Sequence, residues 1–344
     1  MKQILSFLLI ICCLLKAENS YSQEYANAGT YMDYLSKQQE GITKRYLAYT
    51  SASAHGKREK KVETLRGKLM DEIQEARMNI SGMPAWQGDK SYRDTAVSFM
   101  KFYYNVMNED YAKIINMEEI AQRSYDEMEA YILLQETVDK KLEEANIRMR
   151  KGQQDFAAKN NIKLIETNDE KSDMMKTIGG LNKHYHQVYL IFFKPTIQEE
   201  HLTEAIGKSN LTAIEQNKNA MLQYAKEGLE KLKTLKGYDG DNSVIIACMN
   251  VLNFYVREAG QAAAINDFFL AKEKFDNIKK DMDKKGSRTK EDVDGYNKAV
   301  NEINKASDTY NNALKDMNER RRDVLKDWYR AVKNYFDEHT PHYK

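Results

Sequence analysis

The side chains best suited to chemistry are few: six histidines, three cysteines and a pair of Gly-Asp turns in a chain of 344 residues. A helical bundle that holds two metal ions does so with paired Glu-x-x-His motifs. Three residues before His55, His184, His186, His201, His339 and His342 stand Ala52, Leu181, Lys183, Gln198, Phe336 and His339, none of them Glu. His184 and His186 are two apart, about 200° around a helix, and cannot share an ion. His339-x-x-His342 falls in a tail containing Pro341, where a helix is expected to fray. The sequence predicts no metal site.

The other constellations reduce to capping and packing. Gly207-Lys208-Ser209 ends like a phosphate-binding loop, but Leu202 stands where that loop needs its first glycine. It reads as a turn with Ser209 as an N-cap. Asp239, Asp241 and Ser243 alternate as early calcium-loop ligands do, yet Asn250 occupies the position of the closing Glu. In both Gly-Asp-x-Ser copies, Asp and Ser read as caps on free N–H groups. Cys248 lies in the apolar stretch Val244 to Val256 and reads as a small buried hydrophobe. The carboxylates read as spread over solvated helix faces, with no acid/base pair standing out. Arg320-Arg321-Arg322, flanked by Glu319 and Asp323, reads as a solvated face as well. No catalytic, cofactor-binding or metal-ligating residue is assigned, no cofactor is expected, and ligand-binding residues stay unassigned. The chain reads as a non-enzyme.

The elements that would position these groups are helices. There are only 3 prolines and 16 glycines, and Pro84 and Pro341 fall where a helix would stop anyway, while Pro195 marks a break. Val62, Leu65, Leu69, Ile73, Ala76, Ile80 and Met83 step by three or four. So do Met128, Tyr131, Gln135, Val138, Leu142, Ala145, Met149, Gly152 and Phe156. The longest run is Val293, Tyr296, Val300, Ile303, Ser307, Tyr310, Leu314, Met317, Arg321, Val324, Trp328, Ala331 and Tyr335. Such a repeat is the seam of a coiled-coil-like bundle. The spacing predicts helices over 24–53, 57–82, 90–117, 119–159, 172–207, 209–236, 243–284 and 289–339. The fold class is all-α: two tandem, internally duplicated bundles of about four long helices each. The domains are a leader (1–22), a first half (23–159), a linker (160–172) and a second half (173–344).

Duplication is read from recurrence. Gly88-Asp89-Lys90-Ser91 returns as Gly240-Asp241-Asn242-Ser243, and the same interval carries Phe102-Tyr103 onto Phe254-Tyr255 and Trp86 onto Tyr238. A longer interval aligns Ala145, Met149 and Asp155 with Ala313, Met317 and Asp323, which puts an insertion near 270–290. Of the 22 tyrosines, Tyr131, Tyr296, Tyr310 and Tyr335 occupy seam positions and are expected in the core with hydroxyls at its edge.

The N-terminus reads as a secretory signal: Lys2, an apolar run from Ile4 to Leu15, then small residues Ser20 and Ser22 before Gln23. The run is too short to span a bilayer, which takes about 20 apolar residues. Cys12 and Cys13 raise lipoprotein processing as the rival, although Ile11 is a poor residue before that cleavage. Without the leader, Cys248 is the only cysteine, so no internal disulfide is expected. The formal charge of +1 falls to about zero, which gives no electrostatic reason to bind nucleic acid.

The leader ending Ser22-Gln23, the Tyr-rich helices and the absence of motifs resemble uncharacterised all-helical exported surface proteins of Gram-negative bacteria. That resemblance implies export to the periplasm, the outer membrane surface or the exterior, and lends no site residue. The function expected is a non-enzymatic interaction or scaffolding role in the cell envelope. The alternative is a small-ligand or glycan-binding helical protein with Trp86 or Trp328 in its groove. The expected partner is a protein or a surface glycan, with no nucleic acid and no transmembrane helix. Membrane association would be peripheral or through a lipid anchor.

Overall fold

The computed structural model describes residues 25–55, 57–110, 121–164 and 170–343. The leader expected over residues 1–22 lies outside them. Every regular element among the described residues is helical: α1 (Ala28–Ala54), α2 (Glu59–Ser81), α3 (Ser91–Asn105) with a π-helical turn (Val106–Asp110), α4 (Tyr125–Lys159), α5 (Glu170–Gly207), α6 (Leu211–Thr234), α7 (Ser243–Lys284) and α8 (Lys290–His339). None is long and apolar enough to cross a membrane.

The starts are set by side chains that take up orphan N–H groups. Asn27 with Thr30, and Thr289 with Asp292, form reciprocal capping boxes. Ser124 caps α4 by accepting from the Glu127 N–H, so that helix begins at Tyr125 and not at 119 as expected. Before α6 the cap is Asn210, which accepts from Ala213 N–H, and not Ser209, which sits in the turn at φ +53°. α5 runs straight through Pro195 where a break was expected. Pro195 is buried, and Thr196 Oγ1 donates to the Phe192 carbonyl on the same stretch. Of the expected linker, Glu170 to Ser172 already belong to α5.

Among the described residues two large apolar cores form, with a small third cluster around Val106 and Val138. The first gathers Tyr31, Leu35, Leu69, Ile73, Ile80, Tyr92, Met100 and Phe156. The second gathers Val188, Phe192, Ile214, Met221, Val251, Leu252, Tyr255, Trp328 and Tyr335, with Phe192 and Trp328 stacked at 4.3 Å. The packing does not stop at the linker: Ala121, Met128 and Ile132, ahead of and on the first turns of α4, join the second core. Met149, Phe156 and Ala157, at the other end of α4, belong to the first. Tyr335 is fully buried, while Tyr131, Tyr296 and Tyr310 are half-buried, as their seam positions predict.

α7 and α8 make the longest antiparallel pair. Gln261–Asp316, Lys274–Glu302 and Lys285–Asp292 contacts mark one continuous register. Asn266 of α7 reaches Glu215 near the start of α6. By that register α6 begins level with about Leu270, so the last ~14 residues of α7 and their α8 partners extend about 20 Å further.

Candidate functional site

Two turns that enter α3 and α7 organise the polar groups of the molecule. Trp86 pairs with Asp89, and Tyr238 with Asp241, as isolated antiparallel bridges. The central residues have positive φ in both: Gln87 +48° and Gly88 +85°, Asp239 +49° and Gly240 +84°. This is a type I′ turn, whose two left-handed positions favour Gly, Asn and Asp. Each Asp then caps the next helix: Asp89 Oδ1 accepts from Ser91 N–H at 2.8 Å, and Asp241 Oδ1 from Ser243 N–H at 2.6 Å.

The surroundings match as well. Tyr31 Oη donates to the Pro84 carbonyl at 3.1 Å, and His184 Nε2 lies 3.0 Å from the Lys236 carbonyl. Tyr31 packs on Trp86 and Phe156, and His184 on Tyr238 and Tyr335. The final residue of a long helix closes each site. Lys159 Nζ donates to Asp89 Oδ2 at 3.0 Å, and His339 Nε2 lies 2.9 Å from Asp241 Oδ2. This pairing of Lys159 with His339 is not the one that aligns Ala145 with Ala313. A heptad pattern matches itself at several offsets, whereas a turn contact has one.

The carboxylates respond to these partners. Hydrogen bonds from Ser91, then Lys159, bring Asp89 down to about 2. Burial opposes ionisation of Asp241, but the Ser243 N–H and the His339 ring outweigh it and leave its pKa lowered. Burial lowers the pKa of His184, so its imidazole is held neutral between Tyr335 Oη at 2.9 Å and the Lys236 carbonyl.

The tail beyond α8 is docked, contrary to the fraying expected of it. Thr340 is buried, the His342 ring stacks on His55 at 3.9 Å, and Tyr343 N–H donates to Ser51 Oγ at 3.1 Å. His55 Nδ1 lies 2.9 Å from Asp337, so the end of α1 and the end of α8 are joined by side chains. Lys333, then His55, holds Asp337 down at about 2.

A second polar cluster lies against the second core, its two carboxyl groups buried and its arginine partly buried. Arg321 Nη2 donates to Glu258 Oε1, and Arg321 Nε lies 2.7 Å from Glu199 Oε1 as an ion pair not aligned for a hydrogen bond. Glu258 is 0% and Glu199 3% exposed. Arg321 therefore does not share the solvated face of Arg320 and Arg322, and these carboxylates are not on solvated faces either. Burial pushes Glu258 up to about 7 and raises Glu199, with Arg321 opposing in both. One guanidinium balances one carboxylate, and the other keeps its proton near neutrality. Glu258 Oε2 has no hydrogen-bond partner among the described residues. The signal was present in the seams. Glu258 continues the Val251, Tyr255, Ala262, Ile265 series, Glu199 the Phe192, Leu202, Ile206 series, and Arg321 follows Met317.

The remaining residues singled out in the sequence stand apart. Cys248 is fully buried against the Val188 carbonyl, and burial raises its thiol far from the reactive range. Trp328 is in the core, and Trp86 Nε1 donates to Asn160 Oδ1 at 2.8 Å. An open groove of about 490 Å³ along one face of α8, between Asp294 and Lys305, is lined by Asn, Lys, Asp and Glu side chains with no aromatic residue. Compared with known protein families, curated proteins and solved structures, the chain matches none.

Proposed function

We propose that this chain is an exported, non-enzymatic scaffolding or interaction protein of the cell envelope, built as two tandem copies of a coiled-coil-like helical bundle. The α7–α8 projection carries the interaction reading. Past Phe269, among the described residues, a ring contact (Phe275–Tyr296) and two ion pairs (Lys274–Glu302, Lys285–Asp292) join the two helices to each other, and a third pair (Lys272–Asp276) lies within α7. Leu270 and Val293 are exposed beside interspersed charges of both signs. A mixed-charge two-helix arm offers a long surface to a protein partner and little attraction to a polyanion. The duplication reading is supported by the two type I′ turns, which share dihedrals, Asp capping and closure by a helix-terminal cation or imidazole. The export reading rests on residues 1–22, with the lipid-anchored form tied to Cys12 and Cys13.

Protease shaving of intact cells, fractionation and site-specific crosslinking test this reading together. A photo-crosslinker at Leu270 or Val293 is expected to capture one defined envelope protein, and a crosslinker at Ile147 of α4 is not. Recovery of a soluble cytoplasmic monomer, with no adduct from the arm, would sink the proposal.

A further inference from the structure

We propose that Asp241, Glu338 and His339 bind one divalent first-row transition-metal ion where the 238–241 turn meets the end of α8. One donor atom from each residue lies within 4.8 Å of the other two. An imidazole with two carboxylates is a donor set that such ions accept, with water completing the coordination. Ligand atoms bound at about 2.0–2.2 Å from an ion lie roughly 3–3.5 Å apart. Asp241 Oδ2 and His339 Nε2 already lie 2.9 Å apart, so the carboxylate that has to move inward is that of Glu338, which is exposed at the helix end.

The first turn gives independent evidence that a cation belongs here. There the matching Asp oxygen receives a full positive charge, the Lys159 ammonium, from the last residue of α4. In the second turn the last residue of α8 is His339, and the residue before it is an acid, Glu338, where α4 has Ala158. The ammonium has been exchanged for an imidazole and the local negative charge doubled. That change removes a built-in cation and supplies the ligands for a bound one. The carbonyl end of α8 adds a further favourable field for positive charge.

The site is also held in shape before any ion arrives. Asp241 is fixed by Ser243, whose N–H reaches Oδ1 and whose Oγ reaches Oδ2 at 3.0 Å. The His339 ring lies against Tyr238 at 5.6 Å and Tyr335 at 5.3 Å. Such orienting contacts around ligands raise metal affinity. Ligation needs a bare Nε2 on His339: a neutral ring carries its one proton on Nδ1, and an imidazolium releases its Nε2 proton to water as the ion binds.

Zn²⁺ titrated calorimetrically into the purified chain, with melting followed by circular dichroism, tests this. One site per chain and a raised Tm are expected. His339→Lys, which recreates the Lys159–Asp89 pair, is expected to weaken Zn²⁺ binding by about 100-fold while preserving helicity and the metal-free Tm. Glu338→Gln is expected to weaken it about 10-fold. His342→Ala is expected to bind as the parent does, since His342 stacks on His55 away from the three ligands. Undiminished binding by His339→Lys, loss of binding in His342→Ala, or no saturable binding by the parent would each overturn the proposal.

Discussion

The turns at 86–89 and 238–241 have nearly the same backbone, yet they are secured by different chemistry. At the first, Asp89 meets the fixed charge of Lys159; at the second, Asp241 meets the imidazole of His339. The cores behind them diverge further. The first is apolar and aromatic, with Tyr31 stacked on Phe156 at 5.5 Å, whereas the second encloses Glu199, Glu258 and Arg321. The backbone of a left-handed turn tolerates few residues, which is why both turns carry Gly and Asp, while the groups that close the two turns and fill the space behind them differ.

The contrast between the cores can be broken most forcefully at Arg321. Arg321→Ala leaves the buried Glu199–Glu258 pair without its guanidinium, stranding one carboxylate charge, and is expected to cost about 3–5 kcal/mol in urea denaturation. Arg66→Ala, in the first half, loses a contact with the Met107 carbonyl and a surface pair with Glu63, and should cost about 1 kcal/mol. Equal losses would show that the buried cluster contributes nothing special.

Glu258 sharpens the same contrast through pH. Its folded pKa lies above that of an exposed Glu, so the folded state holds the proton that the unfolded chain gives up. Stability from this group is therefore complete below about 4.5 and falls as pH rises to about 7. The fall should reach at most about 3 kcal/mol. Glu258→Gln should flatten that slope, as melting curves between pH 4.5 and 8 will read; an unchanged slope would place the titrating group elsewhere. Asp89 and Asp241 act with the opposite sign, stabilising above the ordinary carboxylate range and losing that contribution as pH falls through their lowered values.

Equivalence of the two turns predicts equal penalties at their glycines. A Cβ on Gly88 or Gly240 meets nothing within 4 Å, so only the left-handed backbone matters. Gly88→Ala and Gly240→Ala should each cost about 1–2 kcal/mol, and a clear difference between them would break the comparison. The smallest effect is expected at Lys159. Lys159→Ala removes a pair whose lysine is 59% exposed, so it should cost about 0.5 kcal/mol and less in high salt.

Much of the helical framework was legible because apolar spacing and breakers are local. Asp292 three residues after Thr289, and the glycines at 237–240, carry their meaning within one turn of chain. The buried ion cluster was half legible: Glu199, Glu258 and Arg321 each sit on a seam, which reveals burial but not that three helices bring them together. The Asp241–His339 contact was not legible, because periodicity states which face is buried and not which distant residue faces it. Pro195 misled for a related reason. A helix packed on several sides keeps its course through the loss of one N–H donor, and that support comes from tertiary neighbours.

α4 belongs to both cores, Met128 and Ile132 to one and Phe156 to the other. Cutting the chain at 162–164 would leave the C-terminal fragment without that wall, exposing the apolar side chains it covers. Neither fragment would melt as its parent portion does, and heat should take the intact molecule apart in a single cooperative step. A helix shared in this way works as a splint: it makes the durability of each half a property of the whole.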